Sequence, residues 1–154
     1  MIKTPIAVLE EQVEIDYSQF HIKDEGYSDG EMPVPDAPGP GQLLAVGTDW
    51  VAVGSAVQYH LARVRIEAWD AEPDSQHSEW EVSDDFEFTC TTGRLALVTV
   101  AMGPVSDETI TVGPPGTYRG RAYSKGRDEA AGQFEDRDEV DEGTEQYLIQ
   151  FWPA

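Results

Sequence analysis

Cysteine is almost absent from this 154-residue chain, where Cys90 stands alone. A single thiol makes no internal disulfide, which excludes a disulfide-stapled secreted scaffold and a thiolate zinc cluster. Positive charge is scarce too: 10 Lys+Arg face 30 Asp+Glu, for a formal net charge of -20. Affinity for a phosphate backbone comes from Lys and Arg releasing counterions, so direct nucleic-acid binding is not expected, and anionic membranes are disfavoured for the same reason. No apolar run approaches the roughly 18 residues of a membrane helix. The stretch Met1 to Leu9 is too short and too weakly basic for a signal peptide, so the expected location is cytoplasmic. Neither GxxxxGK nor GxGxxG occurs, which leaves no phosphate loop and no dinucleotide fingerprint.

What is present can build a core. Hydrophobic residues make up 40% of the chain and aromatics 10%, including four Trp, which separates it from disordered acidic tails. The length suits one domain spanning residues 1–154, since compact domains cluster at about 100 to 150 residues.

Gly and Pro cut the chain into short segments that alternate apolar and polar residues, the period of a half-buried strand. Val13, Ile15 and Tyr17 keep that period, and Phe20 and Ile22 keep it on the opposite parity. An extra residue near Ser18 or Gln19 would explain the switch as a β-bulge. From Val57 to Trp69 the same switch recurs, and although helical spacing also fits, enrichment in Val, Ile, Tyr and Trp favours a strand. Trp80 to Cys90 predicts a long or broken strand, Arg94 to Ala101 a strand covered on both faces, and Ile110 with Val112 leads into Gly113-Pro114-Pro115-Gly116. Pro followed by Gly suits the central pair of a type II turn. Tyr118 to Ser124 and Tyr147 to Trp152 complete the set. About eight strands without a long helix between them predict an all-β fold, an antiparallel β-sandwich of jelly-roll type.

Two segments fall outside the pattern. Residues 32–41 hold four Pro and two Gly, the composition of a polyproline-like surface loop. Residues 128–145 hold nine acids and one Arg without periodicity, which predicts a long acidic loop.

Signals for chemistry are weak. His21, His60 and His77 are scattered, and none stands at metal-ligand spacing from another His or Cys. Cys90 shares its strand face with Phe86 and Phe88, which marks a buried structural thiol. Ser55 lacks the G-x-S-x-G setting of a hydrolase elbow. Carboxylate pairs such as Asp84-Asp85, or Asp70 with Glu72, are expected by chance in so acidic a chain. The run Asp136 to Glu142 has oxygen ligands enough for calcium but lacks the Gly and Glu spacing of an EF-hand. Trp50, Trp69, Trp80 and Trp152 are expected in the core rather than in a carbohydrate platform. No catalytic, metal or cofactor residue is therefore assigned, and no enzyme is expected.

Charge distribution carries the functional expectation. Such acidity costs self-repulsion, tolerated for solubility, for high-salt adaptation or to attract a cationic partner. The acids cluster, whereas Arg94, Arg119, Arg121, Lys125 and Arg127 gather on the strands flanking the Gly113 to Gly116 turn. A basic nucleic-acid cleft would be steered onto such carboxylates.

Tyr17-Ser18-Gln19-Phe20-His21-Ile22 on an early strand, Pro115-Gly116-Thr117-Tyr118-Arg119 later, and a terminal Tyr147-Leu148-Ile149 resemble the competence protein ComJ family. The resemblance covers about a tenth of the chain. It implies a small β-sandwich that inhibits a DNA-uptake nuclease, and the Pro-rich segment, the acidic segment and the Phe151-Trp152-Pro153-Ala154 ending depart from the family pattern. Together these signals predict an acidic binding protein of inhibitor or immunity type that occludes the basic cleft of a nuclease or toxin. The expected contact residues are Glu79, Glu81, Asp84, Asp85, Phe134, Glu135, Asp136, Asp138, Glu139, Asp141 and Glu142. The alternative is a calcium- or carbohydrate-binding β-sandwich module.

Overall fold

A computed structural model describes residues 4–27, 38 and 42–154, so the Pro-rich segment lies outside the described residues apart from Pro38. The described strands, in chain order, are β1 (Ala7–Ile15), β2 (Gln19–Asp24), β3 (Leu44–Gly47), β4 (Trp50–Gly54), β5 (His60–Ala68), β6 (Val82–Cys90), β7 (Arg94–Thr99), β8 (Gly103–Pro104), β9 (Ile110–Thr111), β10 (Gly116–Lys125) and β11 (Gln146–Pro153). A short 3-10 turn covers His77–Glu79, and among the described residues a single α-helix, α1, covers Arg127–Arg137.

The strands form two sheets. The first has the order β1-β5-β11-β10-β6, and the second β3-β4-β2-β7-β8 with β9 also on β7. All pairs are antiparallel except β5 with β11, whose parallel register sets Ile149 opposite Ile66. The period of two sends Val13 and Ile15 of β1, Val64 and Ile66 of β5, and Ile149 and Phe151 of β11 into the space between sheets. There they meet Phe20 and Ile22 of β2, Val51 and Val53 of β4, and Leu95 and Leu97 of β7. The predicted all-β sandwich is the observed fold.

Several local expectations change. The parity switch at Ser18 is a two-residue turn, not a bulge. Tyr17 and Ser18 have φ of 55° and 61°, and Gln19 N–H donates to Asp16 O at 3.2 Å, as in a type I′ turn. The turn hands the chain from one sheet to the other, so both halves of the alternation face the same core. Within Val57 to Trp69, residues 56–59 are a bend that buries Val57, and the strand begins at His60. The Gly113 to Gly116 segment is an open bend. Gly116 has φ 147°, far from the roughly +80° of a type II turn, and it is already the first residue of β10. Tyr118 Oη closes the bend by donating to Pro114 O at 2.5 Å.

The predicted acidic loop is largely a helix. Ala130, Ala131, Gln133 and Glu129 are strong helix formers, but only Ala130 is buried, so no apolar stripe betrays the element in the sequence. Gly126 starts it in the left-handed region at φ 77°, where an added Cβ would sit 1.9 Å from Thr144 O. Asp138, at φ 55°, ends it by donating its N–H to Phe134 O.

Tryptophan also departs from expectation. Trp50, Trp69 and Trp152 are buried, yet none belongs to the inter-sheet core. Trp50 and Trp152 fall on the outward parity of β4 and β11, where they floor the outer sheet faces. Cys90 is buried beside Phe88 as predicted, and burial pushes its thiol up.

Candidate partner-binding surface

The acidic segment is tied down by one carboxylate within it. Glu145 precedes β11 on its core-facing parity and is fully buried. Its Oε1 accepts from Ser55 Oγ and Tyr147 Oη, each at 2.6 Å, and its Oε2 from Ala56 N–H at 3.0 Å. Burial alone pushes this carboxyl up, but hydrogen bonds from His60, Ser55, Tyr147 and Ala56 outweigh it and leave it below the ordinary carboxylate value. Tyr147 is pushed well above the usual phenol value by burial and by the adjacent Glu145 charge. Arg127, the first residue of α1, donates to Gly54 O at 2.9 Å and Tyr147 Oη at 3.2 Å, so the helix start and the segment's end share one buried network.

Ser55, His60 and Glu145 look like a hydrolytic triad in composition but not in geometry. His60 Nε2 lies 2.9 Å from Ser55 Oγ and 3.4 Å from Glu145 Oε1, so serine and acid share one ring nitrogen. A triad needs the acid on the other nitrogen. Among the described residues His60 Nδ1 has no hydrogen-bond partner.

On the outer face of the first sheet, cations meet carboxylates. Arg65 Nε pairs with Glu67 at 2.7 Å and its Nη1 with Glu10 at 3.1 Å, while Arg63 Nε pairs with Glu10 at 3.2 Å. Arg121 Nε pairs with Asp85 at 2.7 Å and its guanidinium stacks 5.3 Å from the Trp152 ring centre. The basic residues that the sequence places around the Gly113 to Gly116 turn therefore do not form one patch. Arg119, Arg121 and Lys125 share this outer face with Arg63 and Arg65, Arg94 pairs with Glu25 at 3.6 Å, and Arg127 anchors α1.

The predicted contact residues divide between two places. Asp85 is taken by Arg121, and Glu81 accepts from Gly126 N–H at 2.5 Å at the start of α1. Glu79 is exposed in the 3-10 turn and Asp84 is exposed on β6, an edge strand. Glu135, Asp136, Asp138, Glu139, Asp141 and Glu142 are exposed at and beyond the far end of α1, about 16 Å along the helix from Gly126. Phe134 is half-buried. Within this second group Asp141 pairs with Arg137 at 3.5 Å and takes Gln133 on its own N–H.

Part of the second group closes on a cleft that the sequence does not announce. Asp138, Glu139 and Glu142 converge with Glu14 of β1 around a space of about 550 Å³ also lined by Ile15, Tyr59, His60, Leu61 and Val140. Among the described residues the lining holds four carboxylates and no Lys or Arg. Tyr59 is 52% exposed and meets the edge of Tyr17, itself 63% exposed, at 6.2 Å. Glu14 comes from β1, His60 opens β5 and Tyr59 ends the bend before it, and the antiparallel register of β1 with β5 sets Ile15 opposite His60. Only the Glu145, Tyr147, Ile149, Phe151 alternation, a carboxylate on a core-facing parity, hinted that the acidic segment folds back here.

A second, larger cleft of about 680 Å³ lies on the outer face of the second sheet, floored by His21, Tyr27 and Trp50. Both other rings lie 4.7 Å from Trp50, and Lys23 Nζ sits 4.9 Å from the Tyr27 ring centre. Burial lowers His21 to about 4. Among the described residues no group of three or more His, Cys, Asp or Glu is placed to hold a metal ion, and no helix is long and apolar enough to cross a membrane.

Comparison with known proteins adds a likeness of fold. ComJ from Bacillus subtilis, the inhibitor of the DNA degrading activity of NucA, superposes at a TM-score of 0.63 over 100% of both chains with 13% identity. The fold is similar to that of ComJ. A protein described as crocagin biosynthetic gene J superposes at 0.64, over 96% of this chain and 97% of its own, with 16% identity. No protein-family model matches the sequence, and no curated protein matches it significantly. The resemblance noted in the sequence thus holds for the sandwich as a whole. Its patches fall on the β1–β2 turn with β2, the start of β10, and β11, which are framework elements rather than the acidic end.

Proposed function

We propose that this chain is a non-enzymatic, single-domain inhibitor that binds a basic nuclease or toxin and occludes its nucleic-acid cleft. The carrying observation is the ordered acidic end. From Asp128 to Glu142 eight exposed carboxylates face one cation, Arg137, on a segment whose ends are pinned by Arg127 and Glu145. A preorganised anionic surface loses little conformational entropy on binding and steers a cationic partner electrostatically. Fold likeness to ComJ supports the inhibitor class. On this reading charge sets the on-rate, and Phe134 and Tyr59 lengthen residence at the contact. DNA degradation by NucA and by a panel of basic nucleases, assayed with the chain added, tests the proposal. Inhibition that weakens with salt is expected; no inhibition of any member contradicts it.

One observation favours the alternative of a carbohydrate-binding module: the His21, Tyr27 and Trp50 floor of the larger cleft, since sugars stack on such rings. Calorimetry against a panel of soluble glycans decides it, with measurable heat supporting the module and none removing it.

A further inference from the structure

Among the described strands, β6 is the long edge left open. It ends the first sheet, pairs with β10 on one side only and runs nine residues without Pro or Gly. The edge strands of the second sheet are short, four residues in β3 and two each in β8 and β9, which is one way proteins blunt an edge. β1, also nine residues, packs against β9 and is tied nearby by Ser106 Oγ, which donates to Glu11 at 3.1 Å. On its free side β6 has one backbone tie among the described residues, near its end, where Thr89 O accepts from Asp49 N–H at 3.0 Å. That bond fixes which groups face outward. The N–H and C=O of a residue in an antiparallel strand point to the same side, and the side alternates along the strand. Thr89 turns away from β10, so Ser83, Asp85 and Glu87 on its parity do too, and their N–H and C=O groups have no partner among the described residues.

The side chains along this edge state what would pair with it. On the outer face Asp85 keeps 72% of its side chain exposed while bonded to Arg121, and exposed Glu87 pairs with no cation among the described residues. On the inner face Val82 is 42% exposed, Asp84 is exposed, and Phe86 is half-buried over Gly120, where an added Cβ would sit 2.2 Å from its ring. A strand laid along β6 would bring its own side chains to about 5 Å from these. Cations suit the outer face and aliphatic groups the inner one. A second copy of the chain suits neither. β6 paired with itself about Asp85 would set that carboxylate against its own copy, and like charges directly opposite are destabilising.

We propose that β6 is a strand-addition site. An extended segment of the basic partner, alternating Lys or Arg with aliphatic residues, pairs with the free edge at Ser83, Asp85 and Glu87, its cations beside Asp85 and Glu87 and its aliphatic side chains beside Val82 and Phe86. This rests on the inhibitor reading for the basic partner and deepens it. Main-chain pairing adds a second contact besides the acidic end, and the acids that repel a second copy select the partner.

The test is an NMR and hydrogen-exchange titration of the full chain with the peptide acetyl-Lys-Val-Lys-Val-Lys-Val-Lys-amide. Its references are a shuffled peptide of the same composition with the Lys and Val residues in separate blocks, and two forms of the alternating peptide N-methylated at its central Lys residues or at its Val residues. The amides of Ser83, Asp85 and Glu87 should gain protection several-fold, whereas those of Asp84 and Phe86, already turned to β10, should not. The alternating peptide should bind several-fold more tightly than the shuffled one. N-methylation of one set of alternate residues should abolish binding and of the other set leave it, because only one set faces β6. Glu87→Pro removes one outward N–H at an edge position where Pro is tolerated, and should abolish binding in a folded chain. If that variant fails to fold, the methylated peptides decide on the native chain. Protection that does not alternate, a shuffled peptide that binds equally, or methylated forms that behave alike overturns the site. Protection at these amides that rises with chain concentration and no peptide marks a second copy as the occupant and also overturns it. A chain that inhibits a nuclease while β6 ignores the peptide overturns only this inference. A β6 that takes the peptide in a chain that inhibits no nuclease overturns the inhibitor reading instead.

Discussion

The outer face of the first sheet and the far end of α1 carry the same residue types and use them in opposite ways. On the sheet face Arg63, Arg65 and Arg121 each sit within 3.2 Å of a carboxylate from Glu10, Glu67 or Asp85. At the helix end Glu14, Asp138, Glu139 and Glu142 share a cleft with no cation among the described residues that line it. The first region has little net field and the second concentrates it. A charge of -20 averaged over the surface therefore misdescribes the molecule. What decides whether an acid is available to a partner is whether the neighbouring strand supplies a cation. β5 and β10 supply them to the sheet face, whereas on α1 and its following loop Arg127 is turned to Gly54 and Tyr147 and Arg137 alone stands exposed among the acids.

Breaking the anchor that separates the two regions should have the largest effect. Glu145→Ala removes an acceptor for Ser55, Tyr147 and Ala56 and leaves the network of buried His60 and half-buried Arg127 incomplete, at a cost of about 3 kcal/mol. A thermal melt should show a fall of roughly 6–12 °C, and hydrogen exchange should show α1 opening first. Acid sharpens the comparison. Glu145 and Glu67 are held below the ordinary 4.5, so the stability they contribute is present above that value and is lost as pH falls through their lower folded-state values. His21 adds an earlier phase. The unfolded chain protonates it near 6.5 and the folded chain near 4, so stability declines as pH drops across that interval. Melting temperature followed from pH 7 to pH 4 should slope downward, and His21→Gln should flatten the slope.

Charge reversal comes next. Glu139→Lys with Glu142→Lys should slow association with an inhibited nuclease by about tenfold at low salt while changing stability by less than about 0.5 kcal/mol. The smallest effect belongs to the compensated face. Glu10→Gln, exposed and shared between Arg63 and Arg65, should cost less than about 1 kcal/mol by chemical denaturation and leave association unchanged. If Glu10→Gln slowed association as much as the reversal does, the distinction between the regions would fail.

The framework was legible in the sequence because its signal is local. Val64 and Ile66, Leu95 and Leu97, and Ile149 and Phe151 announce their strands by alternation, and Cys90 announces its burial by sharing a parity with Phe88. The helix was hidden because it buries only Ala130 and is held by contacts distant in sequence, Arg127 with Gly54 and Gly126 with Glu81. Trp50 and Trp152 misled because a large aromatic can be buried on the outside of a sheet under polar neighbours, here Lys23 and Arg121. The acidic character of the proposed contact surface could be read from residues 128–145, but its gathering point could not. Glu14 and Tyr59 join it because β1 pairs with β5, whose first residue follows Tyr59, a relation between segments that periodicity does not encode.

The central claim is that an ordered, uncompensated acidic end captures a basic nuclease. Stopped-flow association of the chain with a nuclease it inhibits, followed from about 50 to 500 mM salt, tests this most directly. The account predicts an on-rate that falls at least tenfold across the series, with most of that dependence gone in Glu139→Lys with Glu142→Lys. An on-rate indifferent to salt, or a salt dependence untouched by the double reversal, would contradict it.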